Sequence, residues 1–184
     1  VVKDVTANLV WASDSANVFY ARHDPVTLRP NRIYRHRLGT DSETDVLVYE
    51  ETDDTFSCAV GRSRSKQFIF IASYQTLTSE YRYLDARTPE GLFTVFSSRE
   101  RGHEYDLDHF QHRFFIKTNH EATNFRLMST DESHPERENW ENVIDHRDDV
   151  LLERFEMFRD YLVLEERCHG LSQLRVKPWG GEPE

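Results

Sequence analysis

Residues 103–120, HEYDLDHFQHRFFIKTNH, hold the densest group of side chains that could bind a metal or move a proton. The stretch places His103, His109, His112 and His120 beside the carboxylates Glu104, Asp106 and Asp108. Imidazole and carboxylate groups are zinc ligands, and they also serve as general acids and bases. Both uses require side chains that converge on one point. The elements that carry these residues therefore decide between chemistry and architecture.

The composition predicts a folded chain with an acidic surface. Aromatic residues make up 12% of the 184 positions, which is far too many for a disordered segment. The formal net charge of −10 is spread along the whole length. Because a negative surface repels phosphate backbones, we expect no nucleic-acid partner and a preference for cationic ligands.

The apolar runs and the cysteines restrict the environment of the protein. The longest conspicuous apolar run, FIFIA at 68–72, is far shorter than the about 20 residues of a membrane span, and no signal peptide is visible. We therefore expect no membrane partner. Cys58 and Cys168 lie far apart and form no CxxC motif. We interpret them as buried thiols in a reducing compartment, with a disulfide as the alternative.

A pattern of four short strands recurs along the chain at intervals of roughly 45–50 residues, the period expected of propeller blades. The most apolar strand of each repeat is NVFYAR (17–22), QFIFIAS (67–73), HRFFIKT (112–118) or DYLVLEE (160–166). The remaining strands are predicted at 8–13, 32–38, 45–51, 55–60, 79–85, 92–98, 104–110, 124–130, 140–146, 152–158 and 172–178. β-Branched and aromatic residues dominate these segments, as is typical of strands.

We predict an all-β fold, namely a partial β-propeller of about three and three-quarter four-stranded antiparallel blades. The blades are expected at 8–51, 55–98, 104–146 and 152–184, so that residues 1–184 form one propeller segment. A β-sandwich with the same strand count is the alternative, and the regular recurrence favours the propeller. The last repeat lacks a fourth strand and the chain begins VVKDV without Met. We therefore expect an excerpt from a larger propeller.

The predicted strands separate the four histidines of residues 103–120. His109 and His112 flank a turn, whereas His103 and His120 lie near the other end of the hairpin. Zinc needs three or four ligands converging within about 2 Å of one point, so we predict no metal site. Asp106 and Asp108 share one strand face, and we interpret them as lining a wet channel or fixing a turn.

Motifs of catalysis and cofactor binding are absent from the sequence. It contains no G-x-S-x-G nucleophile elbow, and GRSRS at 61–65 lacks the second glycine and precedes a predicted strand. Neither a P-loop nor G-x-G-x-x-G occurs. We therefore predict no catalytic residue and no cofactor within this chain.

Four stretches together resemble the propeller region of the prolyl oligopeptidase family of serine peptidases, in particular its oligopeptidase B type. They are HDPVTLRPNRIYRHRLGT (23–40), VYEETDDTF (48–56), HEYDLDHFQHRFFIKTN (103–119) and LVLEERCHGLSQLRV (162–176). The resemblance implies a seven-bladed propeller joined to an α/β-hydrolase domain that holds Ser, Asp and His. It also implies a cytoplasmic enzyme that cleaves short peptides after Arg or Lys. The hydrolase domain, which lies outside these residues, would be the propeller's partner.

Two acidic pairs in predicted links between blades are the candidate site residues, Asp53 with Asp54 and Asp148 with Asp149. These links are expected on the propeller face that also carries the turns between second and third strands. Carboxylates around an access path raise the local concentration of cationic peptides. We predict that the four acids steer basic peptides, with ordinary solvated turn residues as the alternative. A propeller that serves as a non-enzymatic interaction scaffold also remains open.

Overall fold

The computed structural model describes residues 2–3 and 5–180, and within them the fold is all-β. Fifteen strands form four antiparallel sheets, and in each sheet the strands follow one another in chain order. Two single-turn 3-10 helices, Ser42–Thr44 and Arg137–Asn139, are the described helical segments. Neither has the length or the apolar character to span a bilayer.

The first compact unit ends at Gly102 and contains two four-stranded sheets. The strands of the first sheet are β1 (Val5–Trp11), β2 (Asn17–His23), β3 (Pro30–Arg37) and β4 (Val46–Glu50). Those of the second are β5 (Ser57–Arg62), β6 (Phe68–Gln75), β7 (Thr78–Asp85) and β8 (Thr94–Ser97). Apolar residues of both sheets, including Phe19, Ile33, Ile69 and Ile71, form one buried core. This burial is the main stabilising contribution to the unit.

The second compact unit begins at His103 and contains one four-stranded and one three-stranded sheet. The former consists of β9 (Tyr105–Phe110), β10 (Arg113–Thr118), β11 (Arg126–Asp131) and β12 (Glu141–Ile144). The latter consists of β13 (Val150–Met157), β14 (Tyr161–Cys168) and β15 (Leu171–Pro178). Phe115 and Leu127 pack with Met157, Leu162 and Leu164 in a second core.

The four-stranded repeat predicted from the sequence corresponds to these sheets. A sheet made only of consecutive strands has the topology of a propeller blade, whereas a β-sandwich exchanges strands through Greek-key connections. The topology therefore favours the propeller over the sandwich. The observed strand ends differ from the predicted ends by a few residues. For example, β1 begins at Val5 instead of residue 8, and its pairing with β2 contains an irregularity between Val5 and Leu9. Val1, Asp4 and residues 181–184 of the predicted segment lie outside the described residues.

Candidate functional site

The link between β4 and β5 carries Asp53 and Asp54, and both side chains are exposed. The Asp53 carboxylate accepts hydrogen bonds from the Thr55 hydroxyl at 2.7 Å and the Thr55 amide at 2.9 Å. These bonds favour the ionised form and hold the pKa of Asp53 below its usual range. Asp53 is therefore a fixed negative charge at neutral pH.

Arg29, in the loop between β2 and β3, contacts the backbone of this link. Arg29 donates from Nη1 to the carbonyl oxygen of Asp53 at 3.0 Å and also contacts the carbonyl oxygen of Phe56. The turn between the second and third strands thus lies beside the link to the next sheet. Within the first unit, the two kinds of connection share one end, as predicted.

The buried carboxylate of Glu51 also anchors this link. Glu51 is only 3% exposed. Its carboxylate accepts hydrogen bonds from the Asp53 amide at 3.0 Å, the Tyr49 hydroxyl at 2.7 Å and Arg99 Nη2 at 2.6 Å. Burial raises the pKa of Glu51, but these bonds outweigh it and lower the pKa to about 2. The backbone of the link is therefore hydrogen-bonded to an ionised carboxylate, which Tyr49 and Arg99 also contact.

Arg99 connects Glu51 to a second buried acid, Glu80. Arg99 Nη2 lies 3.3 Å from Glu80 Oε1, and the Arg99 amide donates to Glu80 Oε2 at 3.0 Å. The guanidinium also lies 4.1 Å from the centre of the Phe56 ring. Sequence reasoning missed this network, although Arg99 follows β8 just as Glu51 follows β4. Corresponding link positions with opposite charges were the signal that could have revealed it.

The link between β12 and β13 in the second unit has a similar construction. Asp148 and Asp149 are exposed. The Asn124 side-chain amide, from the β10–β11 loop, donates to the carbonyl oxygens of Arg147 at 3.1 Å and Asp148 at 2.8 Å. Arg147 Nη2 in turn lies 2.6 Å from the buried carboxylate of Glu166. Each acidic pair thus lies on a link that an arginine paired with a buried carboxylate helps to anchor.

The histidine-rich stretch forms two separate groups at the two ends of the β9–β10 hairpin. At one end, Glu132 lies 2.9 Å from Nε2 of the buried His109 and 3.5 Å from Nδ1 of the exposed His112. At the other end, His103 Nε2 lies 2.9 Å from the Thr118 hydroxyl, and the His120 ring packs edge-on against the His103 ring. Burial lowers the pKa of His109, although Glu132 opposes this effect.

The remaining candidates in this stretch have structural partners. Asp106 forms an ion pair with Lys117 at 2.7 Å, and Asp108 accepts a hydrogen bond from the His109 amide. Among residues 2–3 and 5–180, no three His, Cys, Asp or Glu side chains gather closely enough to hold a metal ion. The absence of a metal in the protein itself stays a prediction.

Cys58 and Cys168 are both free thiols. Cys58 is buried, and burial raises the pKa of its thiol to about 12. Since the thiolate is the reactive form, Cys58 is unsuited to act as a nucleophile. The compartment in which the protein resides stays a prediction.

Comparison with known proteins identifies the family. Residues 1–182 match the family described as "Prolyl oligopeptidase, N-terminal beta-propeller domain". Dipeptidyl aminopeptidase BI from Pseudoxanthomonas mexicana is 43% identical over 176 residues, which cover 95% of this chain and 24% of the relative. Protease 2 from Moraxella lacunata is 33% identical, covering 94% of this chain and 24% of the relative. The chain thus spans about a quarter of the length of these curated relatives.

Solved structures show the same relationship at the level of the fold. Oligopeptidase B from Leishmania major aligns with a TM-score of 0.87 and 29% identity, covering 94% of this chain and 24% of that protein. Oligopeptidase B from Trypanosoma brucei, in a closed form with covalently bound antipain, aligns with a TM-score of 0.88 and 28% identity, covering 98% of this chain and 26% of that protein. The chain therefore belongs to the prolyl oligopeptidase family, as part of its N-terminal β-propeller domain.

Proposed function

We propose that this chain is part of the gate of an oligopeptidase B-like serine peptidase and selects short basic peptides by size and charge. The observation that carries the proposal is the match of residues 1–182 to the propeller domain of that family. Relatives named Protease 2 and oligopeptidase B support it. In the parent, a seven-bladed propeller would cover the catalytic site, and a hydrolase domain outside these residues would supply the Ser–His–Asp triad.

The acidic links would contribute through long-range attraction. Asp53, Asp54, Asp148 and Asp149 are exposed, while hydrogen bonds and ion pairs to buried carboxylates hold the backbone that carries them. Rigid carboxylates create a stable negative potential that attracts Arg- and Lys-containing peptides. The four acids are therefore assigned to capture of the substrate and not to the chemical step.

An aminopeptidase specificity is a second candidate, because the 43% identical relative is named a dipeptidyl aminopeptidase. Peptides with free and with blocked amino termini separate the two specificities. In the full-length parent, an oligopeptidase should cleave a blocked peptide after an internal Arg or Lys. An enzyme that accepts only the unblocked peptide and releases dipeptides would support the second candidate.

The propeller segment alone should hydrolyse no Arg or Lys ester or amide, because its sequence contains no nucleophile elbow. The measurement is turnover of a fluorogenic peptide by the purified 184-residue chain, with the full-length parent as the positive control. Turnover by the segment that a serine-directed inhibitor abolishes would contradict the assignment. A parent reading frame without G-x-S-x-G would instead indicate an interaction scaffold.

A further inference from the structure

Glu166, a buried carboxylate in β14, pairs with two arginines through a single oxygen atom. Arg147 Nη2, from the β12–β13 link, lies 2.6 Å from Glu166 Oε1, and Arg175 Nη2, from β15, lies 2.7 Å from the same atom. The two guanidinium groups therefore lie side by side. Since both carry a positive charge and share one carboxylate, one of these charges is not neutralised within the group.

The ion-pair network of the first unit is, by contrast, electrically balanced. Arg99 pairs there with Glu51 and Glu80, and Arg82 pairs with Glu80 at 2.7 Å. Two arginines thus meet two buried carboxylates. A charge that has lost part of its water without gaining a partner is unfavourable, so the group around Glu166 would be stabilised by a second anion.

Such an anion can reach the two arginines from solvent. The side chains of Arg147 and Arg175 are 40% and 28% exposed, whereas that of Glu166 is only 6% exposed. Asp148, the acid next to Arg147 in the sequence, is fully exposed and lies 3.8 Å from His146 Nδ1. Its charge is therefore largely screened by water. Neighbouring guanidinium groups bind carboxylates through short, charge-assisted hydrogen bonds.

We propose that Arg147 and Arg175, which we name the arginine pair, bind the C-terminal carboxylate of a peptide that ends in Arg or Lys. This inference rests on the proposed function, in which cleavage after Arg or Lys leaves such a carboxylate on the product. The bound carboxylate would complete the charge balance around Glu166. Asp148 and Asp149, on the same link, would attract the basic side chain of the terminal residue. One link would thus recognise both charged groups of a product.

Binding of two matched peptides to the full-length parent tests the proposal. Each peptide is fluorescently labelled and carries one arginine, at a C-terminus that is either a free carboxylate or an amide. The parent is first treated with a serine-directed inhibitor, so that the amide is not hydrolysed. The free acid should bind about tenfold more tightly, because hydrogen bonds between charged groups contribute at least that factor. Equal dissociation constants in fluorescence anisotropy would overturn the proposal.

The matched substitutions Arg175→Gln and Arg154→Gln identify the group that binds the carboxylate. Arg175→Gln leaves Arg147 and Glu166 as a balanced pair, so the melting temperature of the ligand-free parent should not fall, whereas the preference for the free acid should disappear. The Arg154 side chain is 81% exposed and lies 3.9 Å from Glu165, so Arg154→Gln should keep the preference. A preference that survives Arg175→Gln or disappears in Arg154→Gln would overturn the proposal. A large fall in the melting temperature of Arg175→Gln would do the same, since it would assign Arg175 to the fold.

Two further measurements separate a peptide from a free anion, and this site from the proposed function. Inorganic phosphate should compete only weakly with the free acid, because it lacks the arginine side chain that Asp148 and Asp149 attract. Phosphate that binds as tightly as the peptide would overturn the assignment to a peptide. Hydrolysis of a blocked peptide with an internal Arg is measured in the untreated parent. Its absence would contradict the proposed function, whereas equal binding of acid and amide would contradict the arginine pair alone.

Discussion

At the residue scale, Glu51 remains charged inside the protein because Arg99, Tyr49 and the Asp53 amide replace the water that it loses on folding. Its pKa in the folded protein is about 2, below the ordinary value of 4.5. A carboxyl group with a lowered pKa stabilises the fold above its unfolded pKa. This contribution is therefore complete above pH 4.5 and is lost as the pH falls towards 2.

Replacing Glu51 with Gln should lower the free energy of unfolding by about 2 kcal/mol at neutral pH, because the half-buried Arg99 would lose the closer of its two carboxylate partners. The difference from the parent should decrease as the pH falls below 4.5, since the parent carboxylate is then progressively protonated. Urea unfolding between pH 2 and 7 is the measurement. Glu90→Gln, at an exposed loop position, is the control and should change neither quantity. A pH-independent difference would contradict the assigned role of the Glu51 charge.

The histidines of residues 103–120 should bind no structural metal, because His109 and His112 share Glu132 at one end of a hairpin while His103 and His120 lie at the other. Treatment with a chelator should leave the melting temperature unchanged, and elemental analysis should find no stoichiometric zinc. One zinc per chain that is lost together with stability on chelation would contradict this prediction.

At the scale of strands and sheets, the sequence was most informative where burial follows a period of two or a continuous apolar run. The runs at 68–71 and 114–116 are buried in β6 and β10, so their positions were predicted closely. Strand ends were less predictable because turn residues contribute little to burial. The ion pairs that anchor the links were missed because their partners are distant in sequence. Glu51 and Arg99, for example, are 48 residues apart.

Two glycines should respond differently to replacement by alanine. A Cβ at Gly91 would lie 2.9 Å from the Leu84 side chain and 3.1 Å from the Thr88 carbonyl oxygen. Leu84 is buried, so Gly91→Ala should destabilise the fold by about 1–3 kcal/mol through overpacking. Gly61→Ala in β5 meets no atom within 4 Å and should be neutral or slightly stabilising. Thermal unfolding compares the pair, and equal losses would show that the Leu84 contact is not responsible.

At the scale of the whole molecule, the acidic links should act through their summed field. In the full-length parent, replacing Asp53, Asp54, Asp148 and Asp149 with Asn should lower kcat/KM for dibasic peptides while kcat remains nearly constant. Asn at position 53 keeps an oxygen acceptor for Thr55, so the turn is preserved. The loss should shrink as salt shortens the Debye length from about 10 Å at 0.1 M to about 3 Å at 1 M.

A control variant tests whether the position of the charges matters. Replacing Glu43, Glu90, Glu136 and Glu138 with Gln removes the same net charge from exposed positions in β3–β4, β7–β8 and β11–β12 connections. These connections lie at the ends of their sheets opposite to the acidic links. The control should retain kcat/KM at low salt. Equal kinetics of parent and link variant at low salt would show that the four acids are ordinary solvated turn residues.

The order of strands within each sheet also bears on how the protein is made. Every sheet consists of strands that are neighbours in the sequence, so its hydrogen-bond partners leave the ribosome one directly after another. Contacts between sequence neighbours lose little entropy on closure and form quickly. A nascent chain can therefore complete its first sheet while later repeats are still being translated. Synthesis from the N-terminus would then guide folding and shorten the time during which unpaired strand edges are open to aggregation.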